Sequence, residues 1–122
     1  MKSYKLLDSG HRKKFKSGAV RDRPPGKGKY VWIAPRFLRR LAVIMEKGGK
    51  KYSAYNWLKG MPMSEFLDSA MRHLRQYQEG DRKEDHLGQC GFNIMALIEF
   101  EETRPDLDDI SNIWKKDKIK KL

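Results

Sequence analysis

From Pro35 to Met45 the apolar residues Phe37, Leu38, Leu41, Ala42, Ile44 and Met45 recur at the three- and four-residue spacing of one helical face, with Pro35 where a first turn tolerates it. That spacing predicts a first helix that stops at "EKGGKKY". Gly48 and Gly49 would supply the break, and Lys47, Lys50 and Lys51 suit the negative helix end. The loop "SAYNWLKGMP" leads to Ser64, the expected N-cap of a second helix from about Glu65 to Gln78. Its apolar face is predicted to hold Phe66, Leu67, Ala70, Met71, Leu74 and Tyr77. After the turn "EGDRKED", a third helix capped by Glu84 or Asp85 should run through "FNIMALIEFEE" until "TRPD" stops it. A short amphipathic piece, "DLDDISNIWKK", is expected to lay Leu107, Ile110, Ile113 and Trp114 back onto the body. Ahead of these helices the first thirty residues are rich in Gly, Pro and Lys, and "RDRPPGKGKY" reads as an extended segment laid over a surface. No internal repeat and no convincing strand is visible, so the fold class is mainly α.

The third helix carries an anomaly. Leu87, Cys90, Ile94, Leu97 and Ile98 form one apolar face and Phe92, Met95 and Ala96 another, yet His86, Gln89 and Asn93 share a stripe about 60° wide between them. A buried amide or imidazole without a partner costs about 1–3 kcal/mol, so these three either satisfy one another or hold something. On the second helix His73 lies at the edge of the apolar face nearest Phe66 and Tyr77, and Asp68 lies on the opposite edge with Arg72 one turn later. Asp68 and Arg72 also read as an exposed i,i+4 pair. Glu46 has small neighbours in Ala42 and Gly49, which leave room beside a carboxylate, although taken singly it reads as a solvated acid.

Composition narrows the chemistry. At 122 residues, with a hydrophobic fraction of 39% and a charged fraction of 35%, the chain fits one domain with tail-like portions. The net charge of +11 sits at its ends: residues 1–30 hold ten Lys/Arg against two acids, residues 115–122 five Lys against one acid, and the middle is nearly neutral. Basic ends attract polyanions, nucleic acid included, or simply solubilise the chain. No apolar run approaches the roughly 18 residues of a membrane span and no secretory signal is apparent, so a cytoplasmic protein without a membrane partner is expected, in the host cytoplasm if the source is viral. The single cysteine, Cys90, excludes an internal disulfide and a cysteine-based zinc cage, leaving a core side chain or a reactive thiol. Walker-type glycine loops, HExxH and CxxC are all absent. Acids near several helix ends, with lysines and an aromatic loop close by, suit a nucleoside phosphate: carboxylates take Mg²⁺ or Mn²⁺, cations take phosphate oxygens, and Trp or Tyr stacks on a base.

Four blocks in linked order, "GAVRD" with "GKGKY", "EKGGKKYSAYNWLKG", "LDSAMRHLRQYQEGD" and "EDHLGQCGFNIMALIE", make Ser17 to Glu102 resemble the dATP/dGTP diphosphohydrolase N-terminal family, a branch of the MazG-like all-α nucleotide pyrophosphohydrolases. The resemblance implies an all-α helical bundle over residues 17–114, with a basic N-terminal tail at 1–16 and a lysine-rich tail at 115–122. It implies a homo-oligomer, dimer or tetramer, that uses Mg²⁺ or Mn²⁺ to cleave a purine deoxynucleoside triphosphate, dGTP or dATP, into monophosphate and pyrophosphate. Carried over by position, Glu46, Asp68 and Asp85 are the catalytic metal ligands, and Lys50, Lys51 and Arg72 contact phosphates. Asn56, Trp57, His73, His86 and Asn93 orient ligands or read the nucleotide, and Arg21 and Lys27 belong to a segment expected to help recognise it. The family's ExxE and ExxD pattern is matched in part, by Glu65 with Asp68 and by Glu99 with Glu102 at the far end of the third helix. Two rivals stand beside the enzyme: a family member without chemistry that binds or sequesters nucleotides or nucleic acid, and an oligomerising helical scaffold whose polar stripe satisfies itself.

Overall fold

The periodicity after Pro35 is realised as α1, Pro35–Lys51, with the proline in its first turn. Two more helices follow, α2 over Met63–Gln78 and α3 over His86–Thr103. This computed structural model describes residues 3–115 and 120 and divides the chain into two units, Met1–Ile33 and Ala34–Leu122. The fold is all-α in class, and α1, α2 and α3 all lie in the second unit. Among the described residues no helix is long and apolar enough to cross a membrane.

The core of the helical unit lies where α2 packs on α3. Met63, Phe66, Ala96 and Phe100 are buried there, with Trp57, Phe92, Leu97, Leu107 and Ile110 packed against them. Phe66 and Phe100 meet at 5.6 Å between ring centroids, and Trp57 presents edge-type contacts to Phe92 and Phe100 at 6.0 and 5.8 Å. Helix α1 closes on α3 through two glycines. A Cβ on Gly88 would stand 3.1 Å from Cγ1 of Ile44, and one on Gly91 would stand 3.0 Å from the Phe37 ring.

Several local expectations are corrected. Gly48 and Gly49 do not end α1, which continues to Lys51; the Gly48 carbonyl accepts from Tyr52 N–H at 3.0 Å. A Cβ on Gly49 would lie 3.3 Å from Cα of Ala54, so its small size serves the return of the following loop rather than a break. Ser64 is not the cap of α2. Pro62 holds that position, and both the N–H and the hydroxyl of Ser64 donate to Asp109, which reaches the helix start from beyond α3. Those bonds hold the Asp109 carboxyl below the usual range. The face of α2 is also turned: Met63, Phe66, Ala70 and His73 are buried, whereas Met71 and Leu74 are exposed. At the other end, Leu107 and Ile110 pack on the core but Ile113 and Trp114 do not. Asp108 accepts from the backbone of Ile110 and Ser111, and this turn replaces the amphipathic helical piece.

The first unit contains the strands that its sequence did not suggest. Strands β1, Arg12–Lys14, and β2, Val20–Asp22, pair antiparallel with Arg12 opposite Asp22. The connecting turn places Gly18 at φ +91°, which favours glycine. No apolar face drives this pairing, since both strands are exposed throughout; polar links do, from Arg12 to Asp8 and Asp22 and from Ser9 to Asp22. Most of the lysine-rich tail expected at 115–122 lies outside the described residues, as do residues 1 and 2.

Phe100 is 1% exposed at the centre of the aromatic cluster. Phe100→Ala is expected to lower unfolding free energy by about 3–5 kcal/mol, read from urea denaturation.

Candidate functional site

Along the seam between α2 and α3 the polar stripe finds its partners. Asn93, buried at 4% exposure, donates from Nδ2 to the Ser69 hydroxyl at 3.1 Å and to the Gln89 carbonyl at 2.8 Å. Both amide hydrogens are thereby used. Its Oδ1 has no donor among the described residues and remains able to accept from a ligand. Farther toward the start of α3, His86 Nδ1 meets His73 Nδ1 at 2.8 Å, a distance at which one ring must donate and the other accept. Burial, followed by the His86 neighbour, pushes the His73 pKa down and favours a neutral ring.

A cleft of about 640 Å³ opens beside the Asn93 end of this seam. Helix α1 contributes Lys47 and Lys51 from its last turns, and the 3₁₀ turn Asn56–Lys59 contributes Asn56 and Trp57. Helix α2 contributes Glu65, Ser69 and Arg72, one stripe at spacings of four and three, and α3 contributes Gln89 and Asn93. Three cations thus face one carboxylate. Trp57 Nε1 is buried without a hydrogen-bond partner among the described residues, an unspent donor on a cleft residue.

The residues nominated from sequence divide into four groups. Lys51, Asn56, Trp57, Arg72 and Asn93 are brought together on the cleft. His73 and His86 meet each other and do not line it. Glu46, Asp68, Asp85 and Lys50 do not line it either. Glu46 is exposed and pairs with Lys50 at 3.1 Å, and Asp68 is exposed on α2. Asp85 is the N-cap of α3: it accepts from Gly88 N–H at 2.9 Å and from Arg40 Nε at 3.0 Å. The Arg40 guanidinium, aided by the Gly88 bond, holds its carboxyl below the usual range. Glu46, Asp68 and Asp85 therefore do not form a common ligand group within one chain; among the described residues the group of that kind is His73, Glu84 and His86, whose ligand atoms lie within 4.8 Å of one another. Arg21 pairs across the hairpin with Lys13, and Lys27 belongs to the same first unit.

Glu65, Ser69, Lys47 and Gln89 also line the cleft without a role nominated from sequence, although Glu65 entered as half of the ExxD match and Gln89 as part of the polar stripe. Glu65 and Ser69 fall on the same helical stripe as Arg72, whereas the nominated Asp68 lies off it. Glu84 carried no signal in the sequence, because its approach to His73 depends on how the turn before α3 folds back.

Comparison with known proteins gives one positive result. The family model described as dATP/dGTP diphosphohydrolase, N-terminal, matches residues 17–110. No curated protein and no solved structure matches the chain.

Because the folded-state pKa of Asp85 is depressed, its contribution to stability is full above the ordinary carboxylate value of about 4 and is lost as pH falls through the lower folded value. Arg40→Ala should therefore lower the melting temperature most near neutral pH, and the gap to the unmodified protein should narrow below about pH 4 in a pH series of thermal melts.

Proposed function

Because the chain belongs to the dATP/dGTP diphosphohydrolase N-terminal family, we propose that it is a metal-dependent hydrolase that cleaves dATP or dGTP to the monophosphate and pyrophosphate in the cleft between its three helices. The observation that carries this reading is the cleft's charge pattern: Lys47, Lys51 and Arg72 surround amide side chains and a single carboxylate. Three cations suit a triphosphate, and the planar fork of Arg72 suits two oxygens of one phosphate. The side-chain Oδ1 of Asn93 offers one acceptor for sugar or base. The Trp57 ring is engaged by Phe92 and Phe100, so its contribution is to shape the cleft wall rather than to stack on a base.

Glu65 is the one carboxylate on the cleft wall among the described residues. Mg²⁺ is commonly held by one or two carboxylates together with substrate phosphates and waters, so Glu65 fits a Mg²⁺ or Mn²⁺ ion that arrives with the nucleotide. When bound, such an ion neutralises phosphate charge. Water attacks the α-phosphorus, the bond between that phosphorus and the α–β bridging oxygen breaks, and pyrophosphate leaves. Lys47, Lys51 and Arg72 stabilise the charge that develops on the leaving group. In this reading Asp85 serves the site by fixing the start of α3, and Glu46 and Asp68 stay in solvent. Incubation of the purified chain with each dNTP and Mg²⁺ or Mn²⁺ is expected to yield monophosphate and pyrophosphate from dATP or dGTP. Arg72→Ala should reduce kcat/KM by about 10²–10³-fold. The absence of turnover with every triphosphate would eliminate the hydrolase.

The scarcity of carboxylates in the cleft favours a second reading, in which the same residues bind a purine nucleotide without cleaving it. Calorimetric titration with dGTP separates the two: binding without turnover supports the binder, and loss of both in Arg72→Ala ties either activity to this cleft.

A second copy of the chain is the proposed partner. Phe37 and Leu41 of α1 with Leu87, Gly91, Ile94 and Ile98 of α3 line a nearly uncharged groove in which Ile94 and Ile98 are about half exposed. Such a face is self-complementary, like meeting like across a two-fold axis. Sedimentation analysis should find a dimer or larger, and Ile94→Asp should shift it to monomer while the far-ultraviolet circular dichroism keeps its helical form.

A further inference from the structure

The His73 and His86 pair is an unusual object to bury. His86 is 2% and His73 8% exposed, their Nδ1 atoms are 2.8 Å apart, and Glu84, on the turn before α3, brings a carboxylate oxygen into the same group within 4.8 Å. Neither the nucleotide cleft nor the capping of α3 uses these three residues. We propose that His73, Glu84 and His86 form a second divalent-cation site, selective for a nitrogen-binding metal of the Zn²⁺ class over Mg²⁺, which ties the turn before α3 to α2. Two imidazoles and one carboxylate are a donor set that first-row transition metals prefer and that Mg²⁺, which takes oxygen ligands, does not.

The other nitrogen of His86 supports this independently. Its Nε2 is buried and has no hydrogen-bond partner among the described residues, yet it lies 3.5 Å from Oδ1 of Asp81. A histidine that binds metal through Nδ1 carries its proton on Nε2, and ligating histidines usually donate that proton to a nearby carboxylate. Asp81 is placed to become that acceptor after a small closure. It is also tied to the turn, accepting from Lys83 N–H at 2.8 Å. Two imidazole nitrogens on one tetrahedral Zn²⁺ stand roughly 3.3 Å apart, so the rings must part by about half an ångström as the shared proton leaves. Glu84 is exposed, which leaves the remaining coordination to water. The site is independent of the proposed hydrolysis. A metal here would still act on its setting, because Arg72 of the cleft directly precedes His73 and Gln89 lies one turn after His86.

The test uses the untagged 122-residue chain, stripped of metal with a chelator and titrated separately with Zn²⁺ and Mg²⁺ in the absence of nucleotide. Calorimetry should give one Zn²⁺ per chain, bound at least a hundredfold more tightly than Mg²⁺, and Zn²⁺ should raise the melting temperature. In ¹⁵N spectra of the imidazoles, the Nδ1 signals of His73 and His86 should move to ligated positions while His11 stays unchanged. Glu84→Gln, an exposed change that should leave the metal-free melting temperature unaltered, should weaken Zn²⁺ binding at least tenfold. The proposal is overturned if Zn²⁺ binds no better than Mg²⁺, if the shifted signals belong to His11 alone, or if Glu84→Gln binds like the unmodified chain. The pair is then a metal-free imidazole hydrogen bond.

Discussion

Asn93 spends both of its amide hydrogens inside the protein, one on the Gln89 carbonyl of its own helix and one on the Ser69 hydroxyl of α2, and the second bond ties α2 to α3. The constraint behind it is the character of α3, which is apolar around most of its circumference and so must be covered on several sides. A helix of that kind could slide or rotate against its neighbours at little cost if all its contacts were hydrocarbon. Polar groups remove that freedom, because a shift of one residue would strand a buried amide or imidazole at about 1–3 kcal/mol each. The Asn93–Ser69 and His86–His73 contacts are two such pins on one seam.

With the seam in register, the cleft follows from short-range geometry. The aromatic cluster of Trp57, Phe66, Phe92 and Phe100 holds the 3₁₀ turn after α1 against the α2–α3 pair. Gly49 lets the chain leave α1 close to Ala54, which keeps Lys51 and Asn56 on the same wall. Gly88 and Gly91 let α1 approach α3, and Arg40 uses that approach to reach the Asp85 cap. The cationic end of α1, the amides of α3 and the Glu65–Arg72 stripe of α2 then surround one volume, a charge distribution that a triphosphate complements.

The seam thus has two ends with different chemistry. At the Asn93 end it borders a cleft with three cations and one acid among the described residues; at the His86 end two imidazoles and a carboxylate that do not line that cleft converge. Hard and softer cations would sort between them by ligand type alone: phosphate and carboxylate oxygens at one, ring nitrogens at the other.

Periodicity determined the existence, order and approximate extent of the three helices, because burying one face imposes a 3.6-residue repeat that any reading of the chain detects. It also marked His86, Gln89 and Asn93 as a line of polar groups needing partners, and the family blocks pointed to Lys51, Asn56, Trp57, Arg72 and Asn93, which the cleft does gather. Which acids face that cleft was decided only in three dimensions. Glu65 and Asp68 differ by about 60° around α2, and the rotation of that helix, set by Phe66, Ala70 and His73 rather than by Met71 and Leu74, puts the exposed Glu65 on the cleft wall and the equally exposed Asp68 off it. Asp85 looked like a metal ligand until the fold supplied Arg40 and Gly88 as its partners. The approach of Glu84 to His73 and the reach of Asp109 to Ser64 join residues distant in sequence or separated by a turn, and such pairings leave no period for a one-dimensional pattern to carry.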